Sequence, residues 1–537
     1  MSRTAARVMA ETLAAHGVDR VFCVAGESYL PLLDTFYDMP DIDVVTCRHE
    51  GSAAFMALAD AKLTGHAGVC LASRGPGAAN SVIGVHAAAE DGSPLILLVG
   101  GVATDEAGRE TFQDVDCATL FSGVAKAAWT VGTPDAAGEF LARAFRLAES
   151  GTPGPVVLML PEDILPAPTL ATAIPRPSQA ATYDGLQHAG PLIDAARRPL
   201  ILAGSEVDSP HGRELLREVA ERHHIPVATS NKNQHLLPNR HPCYAGHLHN
   251  STSSRQMQAL GEADLVVAVG TRLDEITTRG HSYPPSATPL VHVYPDAARL
   301  GTFHETACGI AADPVGFLEQ LAARRRSNHD PSWAETLHRI ETEQACWQGI
   351  SADDGIVFGA VVACLDELTG GDVTAVVDSG TFTSWVYRHL RFGPRGRLLG
   401  ISSSAMGFSV GAAVAAAMRR TPQSPPVVAF VGDGGFLMNS GELITACQRR
   451  LAMLFVIANN NSYATIRRHQ ERTYPGRVIA TDLSNPDFAG MAESFGALGL
   501  RVDTPEQIRP CLSKALECGG PAVVEVRTSL RVSRADT

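Results

Sequence analysis

The chain has 537 residues, 45% hydrophobic and 19% charged, the balance of a globular protein with several cores and not of a disordered chain. Its formal net charge of −13 disfavours coating nucleic acid or an anionic membrane surface. Its 11 cysteines, an odd number with no C-x-x-C pair, argue against a disulfide framework or zinc ribbon and fit a reducing compartment.

Residues 4–16 carry apolar side chains at helical spacing. They lack the apolar run and small-residue cleavage site of a leader, so they read as a first helix and the cytoplasm is the expected compartment. No stretch approaches the roughly 20 apolar residues of a membrane span. Gly17 breaks the first helix. Strands are then expected at 19–24, 43–47, 67–72 and 94–99, alternating with helices at 31–37, 51–64 and 81–89. Apolar strands alternating with helices predict a parallel sheet covered on both faces. Residues 161–183, rich in Pro, Ala, Thr and Ser, read as a linker. A second alternating block has strands at 199–202, 226–228, 264–269 and 290–293. It ends where Arg324, Arg325 and Arg326 give way to Asn328, Asp330 and Pro331. A third block runs from about Asp354, with strands at 374–377, 427–431, 453–458 and 522–526. The expected fold is α/β, three doubly wound parallel-sheet domains at 1–165, 185–325 and 350–537. The first and third blocks share an alternation that would let them pair face to face.

The most informative segment is 427–463. An apolar strand ends in Gly432-Asp433-Gly434-Gly435, a helix is expected at 441–450, and a second apolar strand ends in Asn459-Asn460-Asn461. A βαβ crossover places both strand ends on the same edge of a sheet, where open α/β sheets bind ligands. Singly, Asp-Gly is a turn and Asn-Asn a loop. Together they bring a carboxylate and an amide oxygen to one place. Both are hard donors of the kind that suits Mg²⁺ completed by phosphate and water. Gly434 and Gly435 leave backbone N–H groups open to a diphosphate.

This G-D-G…N-N arrangement resembles the thiamine diphosphate motif, and the resemblance runs along nearly the whole chain. It is nearest to the acetolactate synthase-like branch of 2-oxo acid enzymes. The resemblance implies that Asp433, Asn460 and the carbonyl of Ser462 bind Mg²⁺. It implies pyrimidine-binding, central and diphosphate-binding domains, with the active site between the first domain of one subunit and the third of another. A homo-oligomer follows, a dimer at least and a tetramer by expectation. Gly380, Thr381 and Phe382 in D-S-G-T-F, together with Gly432, Gly434, Gly435 and Tyr463, are implied cofactor contacts. Cys47-Arg48-His49-Glu50-Gly51 resembles the family's R-H-E segment, where the Glu bonds the pyrimidine ring and drives cofactor activation. Ser402-Ser403-Ser404-Ala405-Met406-Gly407-Phe408 resembles S-x-x-x-M-G-F, in which the Met406 position bends the cofactor and the Ser404 carbonyl accepts from its amino group. Arg74-Gly75-Pro76-Gly77-Ala78-Ala79-Asn80 resembles G-P-G-A-T-N, with Ala79 in place of threonine and Asn80 near the cofactor.

Phe112-Gln113-Asp114 resembles the F-Q-E/D of acetolactate synthases, which places Gln113 beside the acyl group. A neutral amide there favours carboligation over protonation; the other reading is a loop amide. Two departures bear on the substrate. Glu27, in Cys23-Val24-Ala25-Gly26-Glu27-Ser28, stands where acetolactate synthases have glycine. It is read as a second proton donor, a polar-substrate selector or a solvated loop acid. His469 replaces a substrate-selecting tryptophan and, with Arg467 and Arg468, is read as meeting a polar substrate or as a solvated helix face. Gly270-Thr271-Arg272-Leu273-Asp274 and Asp296 loosely resemble the FAD-holding region of flavin-containing relatives, with Tyr294 in place of an acid, which leaves FAD open. The implied reaction is decarboxylation of a 2-oxo acid and transfer of the acyl carbanion to a second carbonyl acceptor, with no nucleic acid or membrane partner. A non-ligating decarboxylase or lyase, a flavin-containing oxidase and a catalytically silent subunit are the alternatives.

Overall fold

A computed structural model of the chain describes residues 3–176, 185–250, 252–325 and 329–535. The last part of the expected linker, 177–183, and Arg326 and Asn328 lie outside the described residues. The strands form three six-stranded sheets. The first contains β1 (Arg20–Cys23), β2 (Asp43–Thr46), β3 (Gly68–Ala72), β4 (Leu95–Gly101), β5 (Ala127–Thr130) and β6 (Pro155–Pro161), in the order β2-β1-β3-β4-β6-β5. The middle one contains β7 (Pro199–Ala203), β8 (Val227–Thr229), β9 (Tyr244–His247), β10 (Leu265–Val269), β11 (Leu290–Tyr294) and β12 (Cys308–Ala311), ordered β12-β11-β10-β7-β8-β9. The third contains β13 (Thr374–Val377), β14 (Arg397–Leu399), β15 (Val427–Gly432), β16 (Met453–Asn459), β17 (Leu498–Val502) and β18 (Pro521–Arg527), ordered β14-β13-β15-β16-β18-β17. All the pairings are parallel.

The central strands read as continuous apolar runs because both of their faces are covered. Every residue of β4 and of β16 is buried. The first and third sheets have the same strand order, although no sequence repeat marks it. Each therefore offers the C-terminal ends of four neighbouring strands as one edge: β2, β1, β3 and β4 in the first, β14, β13, β15 and β16 in the third.

The two sheets are joined through one apolar core. The helix Glu50–Thr64 is buried on all sides from Gly51 to Ala61, which explains its lack of an amphipathic stripe. It packs on the helix Phe408–Met418, with Phe55 edge-on to Phe408 at a centroid distance of 5.7 Å. A Cβ on Gly411 would lie 3.2 Å from the Ser52 carbonyl oxygen, so this crossing needs glycine for its closeness. Each fully buried phenylalanine in such a core contributes about 1.5–3 kcal/mol. Arg419, at the end of the second helix, closes the join with bidentate hydrogen bonds to Asp60 of 2.7 Å each. No helix among the described residues is long and apolar enough to cross a membrane. All eleven cysteines are free thiols, in line with the absence of a disulfide framework.

Two expected elements differ. The helix placed at 81–89 begins at Pro76, because proline is tolerated in the first turn and Gly75 supplies the turn before it. The helix placed at 441–450 is found as Glu442–Gln448, but a further short helix, Asp433–Asn439, precedes it and starts directly at the end of β15. Adjacent glycines conceal that start, since glycine has poor helix propensity.

Candidate active site

The C-terminal edge of the third sheet carries a cavity of about 230 Å³. The loops after β13, β14, β15 and β16 build it. Gly380, Thr381, Phe382, Ser404, Met406, Gly432, Asp433, Gly434, Gly435, Asn460, Ser462 and Tyr463 all line it, with Thr465 and Ile466 at one side. Packing requires the glycines. A Cβ on Gly434 would lie 2.5 Å from the Tyr463 ring and one on Gly380 2.7 Å from the Phe382 ring, and Gly380 has φ +152°.

The buried carboxylate of Asp378 holds two of these loops together. It accepts from Ser379 N at 2.8 Å, Gly407 N at 3.0 Å, Ser409 N at 2.9 Å and Ser409 Oγ at 2.8 Å. Burial pushes its carboxyl up, and these donors oppose that push. Between β14 and Gly407, Ser404 takes the left-handed conformation, φ +54°, which a non-glycine residue keeps only where its surroundings impose it.

Asp433 is the first residue of its helix and is nearly buried. Its Oδ1 accepts from Gly434 N at 2.8 Å, and Asn485 Nδ2 donates to its Oδ2 at 2.9 Å. Burial pushes this carboxyl up as well. Across the crossover, Asn460 Oδ1 accepts from Ser462 N at 3.1 Å. The asparagine run is pinned from below: Asn459 Nδ2 donates to the fully buried Glu525 at 2.7 Å, and Ser462 Oγ donates to the Thr481 carbonyl at 3.0 Å. Asn485 was not singled out by sequence reasoning. It lies in an unremarkable Asn-Pro turn, and only folding brings it to Asp433 and, at 3.0 Å, to Asn459 Oδ1.

The first sheet assembles a second cluster on the matching edge. Glu50, after β2, begins its helix, with the His49 ring accepting from Gly51 N at 3.0 Å. Asn80, after β3, donates to Glu50 Oε2 at 3.0 Å. A Cβ on Gly77 would lie 3.3 Å from Glu50 Oε1. Gln113, after β4, has φ +61° and presses on Gly75, whose Cβ would lie 2.8 Å from the Gln113 carbonyl oxygen. Glu27, after β1, is three-quarters exposed and receives Arg74 at 3.4 Å, while Arg74 also pairs with Glu162. Glu50, Asn80, Gln113 and Glu27 thus gather on one edge. Among the described residues, none of the first sheet lines the third-domain cavity of the same chain.

Comparison with known proteins decides the lineage. Residues 3–120 match the N-terminal TPP binding domain of thiamine pyrophosphate enzymes, 186–321 the central domain and 378–526 the C-terminal TPP binding domain. The acetolactate synthase isozyme 3 large subunit of Escherichia coli K12 is 31% identical over 531 residues, covering 95% of this chain and 92% of that protein. The chain belongs to the thiamine pyrophosphate enzyme family. The acetolactate synthase of Mycobacterium bovis is 30% identical over 95% of this thiamine pyrophosphate enzyme and 86% of its own length. The thiamine diphosphate-dependent 4-hydroxybenzoylformate decarboxylase of Rhodococcus jostii RHA1 has the same fold, with a TM-score of 0.84, 24% identity and coverage of 98% of this chain and 99% of that one.

The donor set of this thiamine pyrophosphate enzyme fits the group its family name implies. Asp433, Asn460 and Ser462 all line the cavity and bring to it one carboxylate and neutral oxygens, donor types that suit Mg²⁺ completed by phosphate and water. Arg467, Arg468 and His469, read as meeting a polar substrate or as a solvated helix face, do not line this cavity. Arg467 is engaged with Glu471 at 3.0 Å and Asp482 at 2.6 Å, and His469 with Arg472 at 3.0 Å. The helix Ala464–Thr473 turns them outward and presents Thr465 and Ile466 instead. The middle-domain segment considered for FAD is also engaged internally. Arg272 donates to the Glu90 carbonyl, Asp274 caps Thr277 at 3.0 Å, Asp296 accepts from Thr152 at 2.8 Å, and Tyr294 is buried. These side chains are already engaged in those bonds.

Proposed function

We propose that this enzyme uses Mg²⁺ and thiamine diphosphate to decarboxylate a 2-oxo acid and to join the acyl group to a second carbonyl compound. On this reading it works as a homo-oligomer of at least two copies. The observation that carries the reading is a third-domain cavity whose lining includes hard oxygen donors, Asp433 and Asn460, together with Ser404 and Met406. When bound, thiamine diphosphate supplies a carbon nucleophile for the 2-oxo carbonyl and takes up the electron pair released with carbon dioxide.

The chain's own residues do the rest. Asp433, Asn460 and the Ser462 carbonyl hold the metal, and the backbone around Gly380–Phe382 and Gly434–Gly435 receives the diphosphate. Met406 would pack against the cofactor, and the Ser404 carbonyl would accept from its amino group; both residues line the cavity. Glu50, steadied by Asn80, exchanges a proton with the pyrimidine nitrogen. Because the Glu50 edge and the cavity are separate within one chain, the first domain of a second copy would supply Glu50, Gln113 and Glu27. The neutral amide of Gln113 is a poor proton donor, which leaves the acyl group to a carbonyl acceptor. The acetolactate synthases among the relatives support the same direction.

A decarboxylase that releases free aldehyde is the second reading. It is favoured by the Glu27 side chain, well exposed at the same edge, which could pass a proton from solvent to the acyl group. A panel of 2-oxo acids, each tested with and without aldehyde and 2-oxo acid acceptors, separates the two through carbon dioxide release and product analysis. Carboligation predicts a condensation product whose yield follows the acceptor. Free aldehyde as the sole product from every donor would replace the first reading with the second.

A further inference from the structure

Residues 402–406 bring Ser404 and Met406 to the cavity, and this segment is suspended between two buried carboxylates. Asp378 holds its downstream end through Gly407 N. Its upstream end is held from the first domain. Asp91 Oδ1 accepts from Ser402 N at 2.8 Å, and Asp91 Oδ2 pairs with the Lys62 ammonium at 2.5 Å. Lys62 Nζ also donates to the Gly400 carbonyl at 2.9 Å. Just upstream, Arg397 donates to the Lys62 carbonyl at 3.2 Å and the Leu63 carbonyl at 3.3 Å. Positions 397, 400 and 402 are therefore all fastened to the C-terminal turns of two first-domain helices, Glu50–Thr64 and Pro76–Asp91.

The pair is shielded, with side-chain exposures of 20% for Lys62 and 3% for Asp91. Lys62 suits the last turn of its helix, where the dipole favours a cation. Asp91 is the final residue of its helix, where the same dipole disfavours an anion. Its placement there is sustained by the Lys62 ammonium and Ser402 N, the groups that fix the loop. Of the two helices whose far ends make this clamp, one begins with Glu50 and the other carries Asn80 in its second turn.

Resting on the reading above, we propose that Lys62 and Asp91 are positioning residues. They hold the 402–406 loop so that the Ser404 carbonyl and Met406 face the cofactor. Through the same two helices they link that loop to Glu50 and Asn80, which on that reading serve the other active site of the dimer.

The test compares Asp91→Asn, Lys62→Met and Lys62→Arg with the wild type. Asp91→Asn keeps the side-chain volume and an oxygen for Ser402 N, which guards against a folding failure in Lys62→Met. Amide hydrogen exchange in the cofactor-free protein, calorimetry with thiamine diphosphate and Mg²⁺, and steady-state kinetics are measured on each. Asp91→Asn and Lys62→Met are expected to speed exchange across 400–407 while leaving that of 433–439 unchanged. Their kcat is expected to fall by about 10²-fold, the cost of roughly 1 Å of misplacement. The KM for the 2-oxo acid should move by less than about threefold. The unfolding midpoint should stay near wild type in Asp91→Asn, and the lower midpoint expected of Lys62→Met, which leaves Asp91 buried without its cation, should not be needed for the loss of kcat. Lys62→Arg, which keeps the charge and donors for both Asp91 and Gly400, should recover most of the loss. Wild-type exchange and kcat in both disruptive variants would overturn the proposal. So would a parallel fall in unfolding midpoint, cofactor affinity and turnover without rescue by arginine, which would mark a purely structural tie. If the wild type itself took up no thiamine diphosphate, the underlying reading would fall first, and the titration shows that before any variant is compared.

Discussion

Glu50→Gln is expected to lower turnover by about 10²–10⁴-fold, the usual worth of a positioned acid–base group, while leaving cofactor affinity nearly intact. Glutamine keeps the size of the side chain and an oxygen for the 3.0 Å hydrogen bond from Asn80. The His49 cap on Gly51 is independent of it, so the helix start should survive. Only proton exchange with the pyrimidine is removed. Steady-state kcat, read beside calorimetry with thiamine diphosphate and Mg²⁺, separates the two effects. Near-normal turnover would mean that Glu50 is only a first-turn acid, favoured by the helix dipole.

Asp433→Ala is expected to abolish metal and cofactor binding together. Asp433 is the one carboxylate in the proposed ligand set, so its loss should exceed the 10–100-fold typical of removing an outer-shell partner, by more than about 100-fold in affinity. The apo protein should stay folded. Burial pushes the Asp433 carboxyl up, so above the ordinary carboxylate range the ionised group costs stability, and alanine removes that cost. Calorimetry and thermal unfolding with and without Mg²⁺ check both parts. An unchanged Mg²⁺ requirement would contradict the ligand set.

Much of the fold can be read from the sequence because its central strands are buried on both faces. Runs such as Val427–Gly432 and Met453–Asn459 are apolar throughout, and they end in Gly or Asn where the chain must turn at the ligand edge. The edge strands Ala127–Thr130 and Leu498–Val502 escape notice because they are half exposed and carry no such run. The third-domain residues that share the cavity sit at strand ends, so the alternation of strands and helices already places them together. Asn485 and Asp378 are different. Their roles come from hydrogen bonds between loops far apart in the chain, and no local pattern encodes those. The Lys62–Asp91 clamp belongs to the same class, since its partners are 338 and 311 positions away. For the basic residues near His469 the sequence left two readings open, because spacing sets their place on a helix but not which face the neighbouring loop, through Asp482, draws toward itself.

Subunit mixing tests the central claim most directly. Glu50→Gln chains and Asp433→Ala chains, carrying different affinity tags, are co-expressed and the mixed oligomer is isolated on both tags. If the site joins the first domain of one copy to the third domain of another, a mixed dimer holds one site with both residues intact and one with neither. It should then recover about half of the wild-type turnover per dimer, while each parent stays near background. A mixed dimer as inactive as its parents would contradict the account.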